Sequence, residues 1–256
     1  MRVLKKVFDF YIQSSIHVGF AVYCLLEITL FSSRLNAVDD FSKCVFFGTI
    51  LGYNFLKYFE VFRNGFFRSN WCFSILIVSF LAGIGFLSSF FLLEYLTQKL
   101  ILISGALVLV YPFLRKYGWL KLFLVSFVVS FITVYIPFQT IGKLSFEFYI
   151  SFIQRFFILI SLLIPFEIKD AKTDAKSLKT LPQLFGVRKT KLFGFLMVVP
   201  FVVLEFLKLH PSYLVLPVGV VTIGLINFVE LDRNKYYTSF WVEAVPVFWW
   251  LLLILF

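Results

Sequence analysis

Apolar runs of about 20 residues recur from one end of this chain to the other, and short stretches between them carry nearly all of its charge. A soluble core has no place for so many unbroken runs, whereas a helix crossing a bilayer needs about 20 such residues. Composition agrees: of 256 residues, 61% are hydrophobic and 15% are charged, against about 25% charged in an ordinary soluble domain. Nine spans are predicted, at 10–31, 43–62, 71–93, 99–114, 119–138, 146–166, 192–209, 213–229 and 237–256. Backbone groups in lipid must satisfy one another, so the spans are read as helices. The expected fold is all-α, a polytopic membrane bundle of about nine transmembrane helices in a single domain over 1–256.

Charge then orients the bundle. The net charge is +10, but the basic residues are scattered through the loops, which points to topology and not to a nucleic-acid partner. With Arg2, Lys5 and Lys6 in the cytoplasm, 18 of the 24 Lys and Arg fall on that side, 5 on the other, and Arg155 lies within a span. The positive-inside rule therefore predicts an integral, multi-pass protein with a cytoplasmic N-terminus and an external C-terminus. The first span is long enough for an uncleaved anchor.

Several chemistries find no support. Cys24, Cys44 and Cys72 lie in or beside apolar runs without metal-ligand spacing, and read as buried thiols. His17 and His210 are far apart in sequence, and no Gly-rich phosphate loop or dinucleotide fingerprint occurs. The 37 Phe residues read first as lipid-facing bulk; ring faces lining a pocket for a polyisoprenoid tail, where they would also stabilise a carbocation, are the second reading.

Carboxylates are scarce, 14 in all, yet Glu167, Asp170 and Asp174 sit at spacings of three and four. On a helix these share one face. Together they suit a hard cation such as Mg²⁺, which is held by one or two carboxylates plus substrate phosphates. The interleaved Lys169, Lys172, Lys176 and Lys179 allow a plainer reading, a solvated loop of ion pairs.

The run Glu167-Ile-Lys-Asp-Ala-Lys-Thr-Asp174, followed by Thr180-Leu-Pro182 and Gly186, resembles the second Asp-rich motif of the UbiA superfamily of intramembrane prenyltransferases. Tyr111-Pro-Phe-Leu-Arg115-Lys116 is similar to that family's Y-P-x-x-K-R stretch. The resemblance implies helices round a central cavity open to the cytoplasm, with 53–62 and 167–174 facing each other across its mouth. It also implies a bacterial inner-membrane setting, a prenyl diphosphate donor and an aromatic or lipid acceptor within the membrane lipids. Mg²⁺ is the implied cofactor, on Asp170 and Asp174 with Glu167 in support. Arg115 and Lys116 are implied as phosphate-facing catalytic groups, and Asn54, Tyr58, Tyr111 and Lys176 as substrate-binding ones.

The family's first motif, N-D-x-x-D-x-x-x-D, falls here on Tyr53-Asn54-Phe-Leu-Lys57-Tyr58-Phe-Glu60-Val-Phe62. Asn54 is kept, and Phe55, Tyr58 and Phe62 stand where the aspartates would be. Glu60 lies about 240° round the helix from Asn54, off that face. Lys57 lies within about 60° of it. An ammonium there could take over charge stabilisation on the leaving diphosphate, or simply anchor a helix end. Arg155 has two readings as well, since a charge within a span costs about 2.5–3.5 kcal/mol on insertion scales and usually faces the bundle interior. It either snorkels or pairs with an acid such as Glu147. Two functions stay open: a divergent Mg²⁺-assisted prenyltransferase, and a non-catalytic relative that binds an isoprenoid lipid or a protein partner. A transporter fits less well, because the acids cluster at a loop and not at mid-membrane.

Overall fold

The computed structural model is described here for residues 2–35, 39–63, 70–114, 117–140, 142, 145–175 and 178–256, without the side chains of 2, 59–63 and 70–72. Among these residues every regular element is helical. The helices are α1 (Arg2–Gln13), α2 (Ile16–Ser32), α3 (Asp39–Arg63), α4 (Asn70–Phe90), α5 (Tyr95–Leu114), α6 (Trp119–Ser130), α7 (Ile136–Thr140), α8 (Phe146–Asp170), α9 (Leu181–Glu205), α10 (Val215–Phe228) and α11 (Val245–Leu255). A π-turn, Phe131–Tyr135, joins α6 to α7, and a second, Tyr237–Val242, precedes α11.

Each expected span falls on a helix or a joined pair. By length and apolarity, five segments among the described residues can cross a membrane: Phe73–Phe90, Tyr95–Leu114, Trp119–Thr140, Phe146–Asp170 and Tyr237–Leu255. The α1–α2 pair, bent by 56°, makes a sixth if taken as one broken span. The remaining three are more polar or shorter: α3 carries Asp39, Asp40, Lys43 and Lys57, α9 opens on Arg188, Lys189 and Lys191, and α10 has only 14 residues.

Two boundaries differ from the sequence reading. The first span, expected unbroken over 10–31, is interrupted at Ser14 and Ser15, and Ser15 takes a left-handed φ of 62°. Ser14 Oγ donates locally to the Tyr11 carbonyl, and Ser15 Oγ donates to Asn54 Oδ1 of α3. The carboxylate segment, whose three acids would share one face only on a helix, leaves the helix after Asp170. Asp174 then follows in a turn whose N–H reaches the Asp170 carbonyl at 2.8 Å.

Helix α8 is the axis of the bundle, packed on α9, α6 and α10. Its Ile158, Ile160, Ile164 and Ile168 are all buried, as apolar residues on the inner faces of a central helix should be. They form one core with Phe201 of α9, Val218 and Ile226 of α10, and Trp249 of α11. A second core joins α2, α3 and the α6–α7 hinge through Leu26, Cys44, Val134 and Phe138. Cys24 and Cys44 are free and buried, as expected; the side chain of Cys72 lies outside the described residues.

Candidate functional site

Helix α3 supplies one wall. Asn54 is buried, and both of its N–H groups donate, to the Ser14 carbonyl at 3.0 Å and Ser79 Oγ at 3.0 Å. Its Oδ1 accepts from Ser15 Oγ at 2.6 Å. Asn54 therefore clamps the α1–α2 break. One turn on, Tyr58 donates to the Gln13 carbonyl at 2.8 Å and Lys57 Nζ reaches the same oxygen at 3.3 Å. Asn54 and Lys57 share a face, as the helical spacing predicts.

The end of α8 and the turn after it form the second wall. Local sequence fixes that turn. Gln183, just past Thr180-Leu-Pro182, accepts from the Thr180 N–H at 3.1 Å and donates to the Asp174 carbonyl at 3.1 Å. Pro182 suits the first turn of α9, where its missing N–H goes unused. Gly186 bends α9 at φ 80°, a conformation open to glycine. Gly118 lets α6 approach the loop closely, since a Cβ there would meet the Leu178 carbonyl oxygen at 2.0 Å.

That approach brings α6 to the acids. Lys121 Nζ lies 2.9 Å from Glu167 Oε1 and 3.2 Å from Asp174 Oδ2, all three side chains being buried. Glu167 Oε2 is buried with no hydrogen-bond partner among the described residues. No group of three or more His, Cys, Asp or Glu that could hold a metal is found among the described residues. The ammonium stands between two of the three carboxylates.

A third side comes from the segment before α11. The π-turn Tyr237–Val242 ends at Glu243, whose carboxylate lies close to the Tyr53 hydroxyl and within electrostatic reach of Lys57 and Lys169. Tyr53 is also within reach of Tyr111 and Asp170. Lys169 Nζ donates to Thr238 Oγ1 at 3.1 Å. Tyr53, Tyr58, Tyr111, Lys169, Asp170 and Glu243 are all part-exposed although they sit between helices. They form a polar cluster within electrostatic reach of one another, drawn from 53–58 of α3, 167–170 of α8 and the segment before α11. At its edge, the hydrogen bond from Lys235 Nζ to Asp9 Oδ1, 3.0 Å, holds the Lys235 ammonium above the usual lysine range. Arg115, Lys116 and Lys176, expected at this site, lie outside the described residues, as does the side chain of Phe62.

The family model for the UbiA prenyltransferase family matches residues 68–253. The chain belongs to this family. Its fold is similar to the apo structure of a UbiA homolog from Aeropyrum pernix K1, with a TM-score of 0.67 over 93% of this chain and 97% of that one at 16% identity. No curated protein sequence matches the chain significantly.

Two residues of this UbiA-family site escape the sequence reading. Glu243 had a signal, because an acid within an apolar run is a site candidate by default. Lys121 had none, since only the folded contact of α6 with the 167–174 segment gives it a role.

Proposed function

We propose that this UbiA-family chain is a divergent membrane prenyltransferase, in which lysines and at most one Mg²⁺ neutralise the diphosphate of an isoprenoid donor. The observation that carries the reading is the polar cluster of Tyr53, Lys57, Lys169, Asp170 and Glu243 in an otherwise apolar bundle. With Lys121 moved off the acids, Asp170 and Asp174 would hold a divalent ion together with substrate phosphates, and the buried, unsatisfied Glu167 Oε2 is an acceptor a cation could use. When bound, the ion would supply charge neutralisation at the leaving diphosphate. The first wall offers no carboxylate at positions 55 and 58. There Lys57 carries the charge stabilisation, with Lys169 in the same cluster.

In this reading the C–O bond to diphosphate breaks, the acceptor forms a bond to the allylic carbon, and an aromatic acceptor loses a proton. Glu243, close to the Tyr53 hydroxyl, would take it. Tyr58 and Tyr111 present ring faces to the developing cation, and the tail lies among the apolar helices.

A second reading, a non-catalytic isoprenoid- or partner-binding relative, draws on two contacts. Asn54 is fully engaged in the α1–α2 break, and Lys121 already neutralises the second wall. Incubating the purified protein with labelled prenyl diphosphates, Mg²⁺ and membrane lipid extract separates the two. Released diphosphate with a new prenylated product supports transfer; binding without turnover supports the second reading.

A further inference from the structure

At the far end of the bundle from the polar cluster lies a second constellation of charge. Along α8, Arg155 precedes Asp170 by fifteen residues, about 22 Å of helix. Its side chain is buried at 4% exposure and opens on a small cavity between α2, α8, the end of α9 and α11. Nη1 donates to the Leu25 carbonyl and Nη2 to Thr29 Oγ1 at 3.1 Å, and the guanidinium lies 5.3 Å from the Trp249 ring centroid. These bonds use two of the five N–H groups of a guanidinium, and neither acceptor is charged.

Among the described residues a single carboxylate lines the cavity, and it is already committed. Glu205 Oε2 accepts from Lys208 Nζ at 2.7 Å and Gln154 Nε2 at 2.8 Å, and its Oε1 accepts from the Ser212 N–H at 3.0 Å. Lys208 also donates to Gln154 Oε1 at 2.7 Å, and Glu147 acts on Lys208 from farther away. The lining thus holds two cations, Arg155 and Lys208, against one anion. Burying a guanidinium without a carboxylate is costly unless something else supplies the charge. Among the described residues its contacts do not include Glu147, the partner in one of its two readings.

We propose that this cavity is an anion site, separate from the prenyl diphosphate site, that takes a phosphate-type oxyanion on Arg155. The planar fork of a guanidinium matches two oxygens of a phosphate. Ser32, Ser33, Ser151 and Ser212 on the lining add hydroxyl donors, and Trp249 and Leu253 give an apolar flank for the first carbons of a lipid chain. The oxyanion is either a lipid headgroup or free phosphate.

The test uses the full chain in nanodiscs and reads binding of inorganic phosphate, and of phosphatidic acid against phosphatidylcholine, by calorimetry and thermal unfolding. Saturable binding of inorganic phosphate identifies a free oxyanion; preference for phosphatidic acid alone identifies a headgroup. In either case Arg155→Gln is expected to weaken it at least tenfold. Should that variant fail to fold, Ser151→Leu fills the cavity while leaving the Arg155 bonds to Leu25 and Thr29 in place, and is expected to abolish binding. Asp174→Asn is expected to leave this binding unchanged, which separates it from any failure at the other site. No binding by the wild type, or binding that survives both Arg155→Gln and Ser151→Leu, overturns the proposal and leaves Arg155 as a cross-link between α8 and α2.

Discussion

The Lys121 ammonium lies 2.9 Å from Glu167 Oε1, inside the bundle, and the same nitrogen reaches Asp174 at 3.2 Å. One cation on α6 therefore holds two acids from opposite ends of the segment that the family resemblance assigns to metal. Removing one partner of a buried ion pair costs about 3–5 kcal/mol because the other charge stays buried and unpaired. Lys121→Met should accordingly lower the unfolding temperature sharply, and Mg²⁺ should restore part of the loss by taking the ammonium's place. Thermal unfolding with and without Mg²⁺ checks this; a variant as stable as wild type would show that the bridge contributes little.

The contact that clamps the α1–α2 break makes its own prediction. Asn54→Ala removes two donors and one acceptor from the buried Ser14 and Ser15 and the half-buried Ser79. Each polar group left unsatisfied costs about 1–3 kcal/mol. The variant should be less stable and should be cut faster by protease near Gln13–Ser15 than wild type. Unchanged cleavage there would mean that the break is held by Tyr58 and Lys57 without Asn54.

How far the sequence reached depends on what each signal was made of. Apolar runs announced an all-α membrane bundle because burying a backbone in lipid leaves few alternatives. The break at Ser14 and Ser15 was not visible, since hydrophobicity alone does not register a 56° bend. Spacing put Glu167, Asp170 and Asp174 together, and Thr180-Leu-Pro182 with Gly186 marked the turn that Gln183 ties to the Asp174 carbonyl. Spacing could not show that Lys121, 46 residues before Glu167, fills the gap between two of the acids. For Asn54 the motif match suggested substrate contact, whereas its amide is engaged within the protein. Local pattern names the residue, and tertiary packing decides which neighbour it meets.

Glu243 offers a kinetic test. If it takes the proton from an aromatic acceptor, Glu243→Gln should slow turnover by about 10²–10⁴-fold, the usual contribution of a positioned base. Because Gln keeps an acceptor oxygen near the Tyr53 hydroxyl, KM for the donor should change little. A variant with wild-type kcat removes Glu243 from the chemistry.

Orientation in the membrane is predicted by charge: the expected spans assign 18 basic residues to one side and 5 to the other, so reporter fusions after Lys179 should read cytoplasmic and fusions after Phe256 external. A cytoplasmic C-terminus would mean an even number of crossings, and the segments to reconsider first are α3, α9 and α10, which fall short on apolar length.

The sharpest division of labour is between Lys57 and the second wall. Lys57 is exposed at the cluster, with its nitrogen 3.3 Å from the Gln13 carbonyl and 5.5 Å from the Tyr58 ring centroid. If it stabilises the diphosphate in place of first-wall carboxylates and their metal, Lys57→Ala should weaken prenyl diphosphate binding about tenfold or more even at saturating Mg²⁺, the scale of one lost charge-assisted hydrogen bond. Lys57→Arg should be partly tolerated. Asp174→Asn should act differently, reducing the Mg²⁺-dependent part of binding, because a neutral amide is a poor ligand for a hard cation. Restoring carboxylates with Phe55→Asp and Tyr58→Asp in the Lys57→Ala background should raise the Mg²⁺ dependence again. Donor affinity that ignores Mg²⁺, Lys57 and Asp174 alike would place the diphosphate outside this cluster, and the non-catalytic reading would then stand.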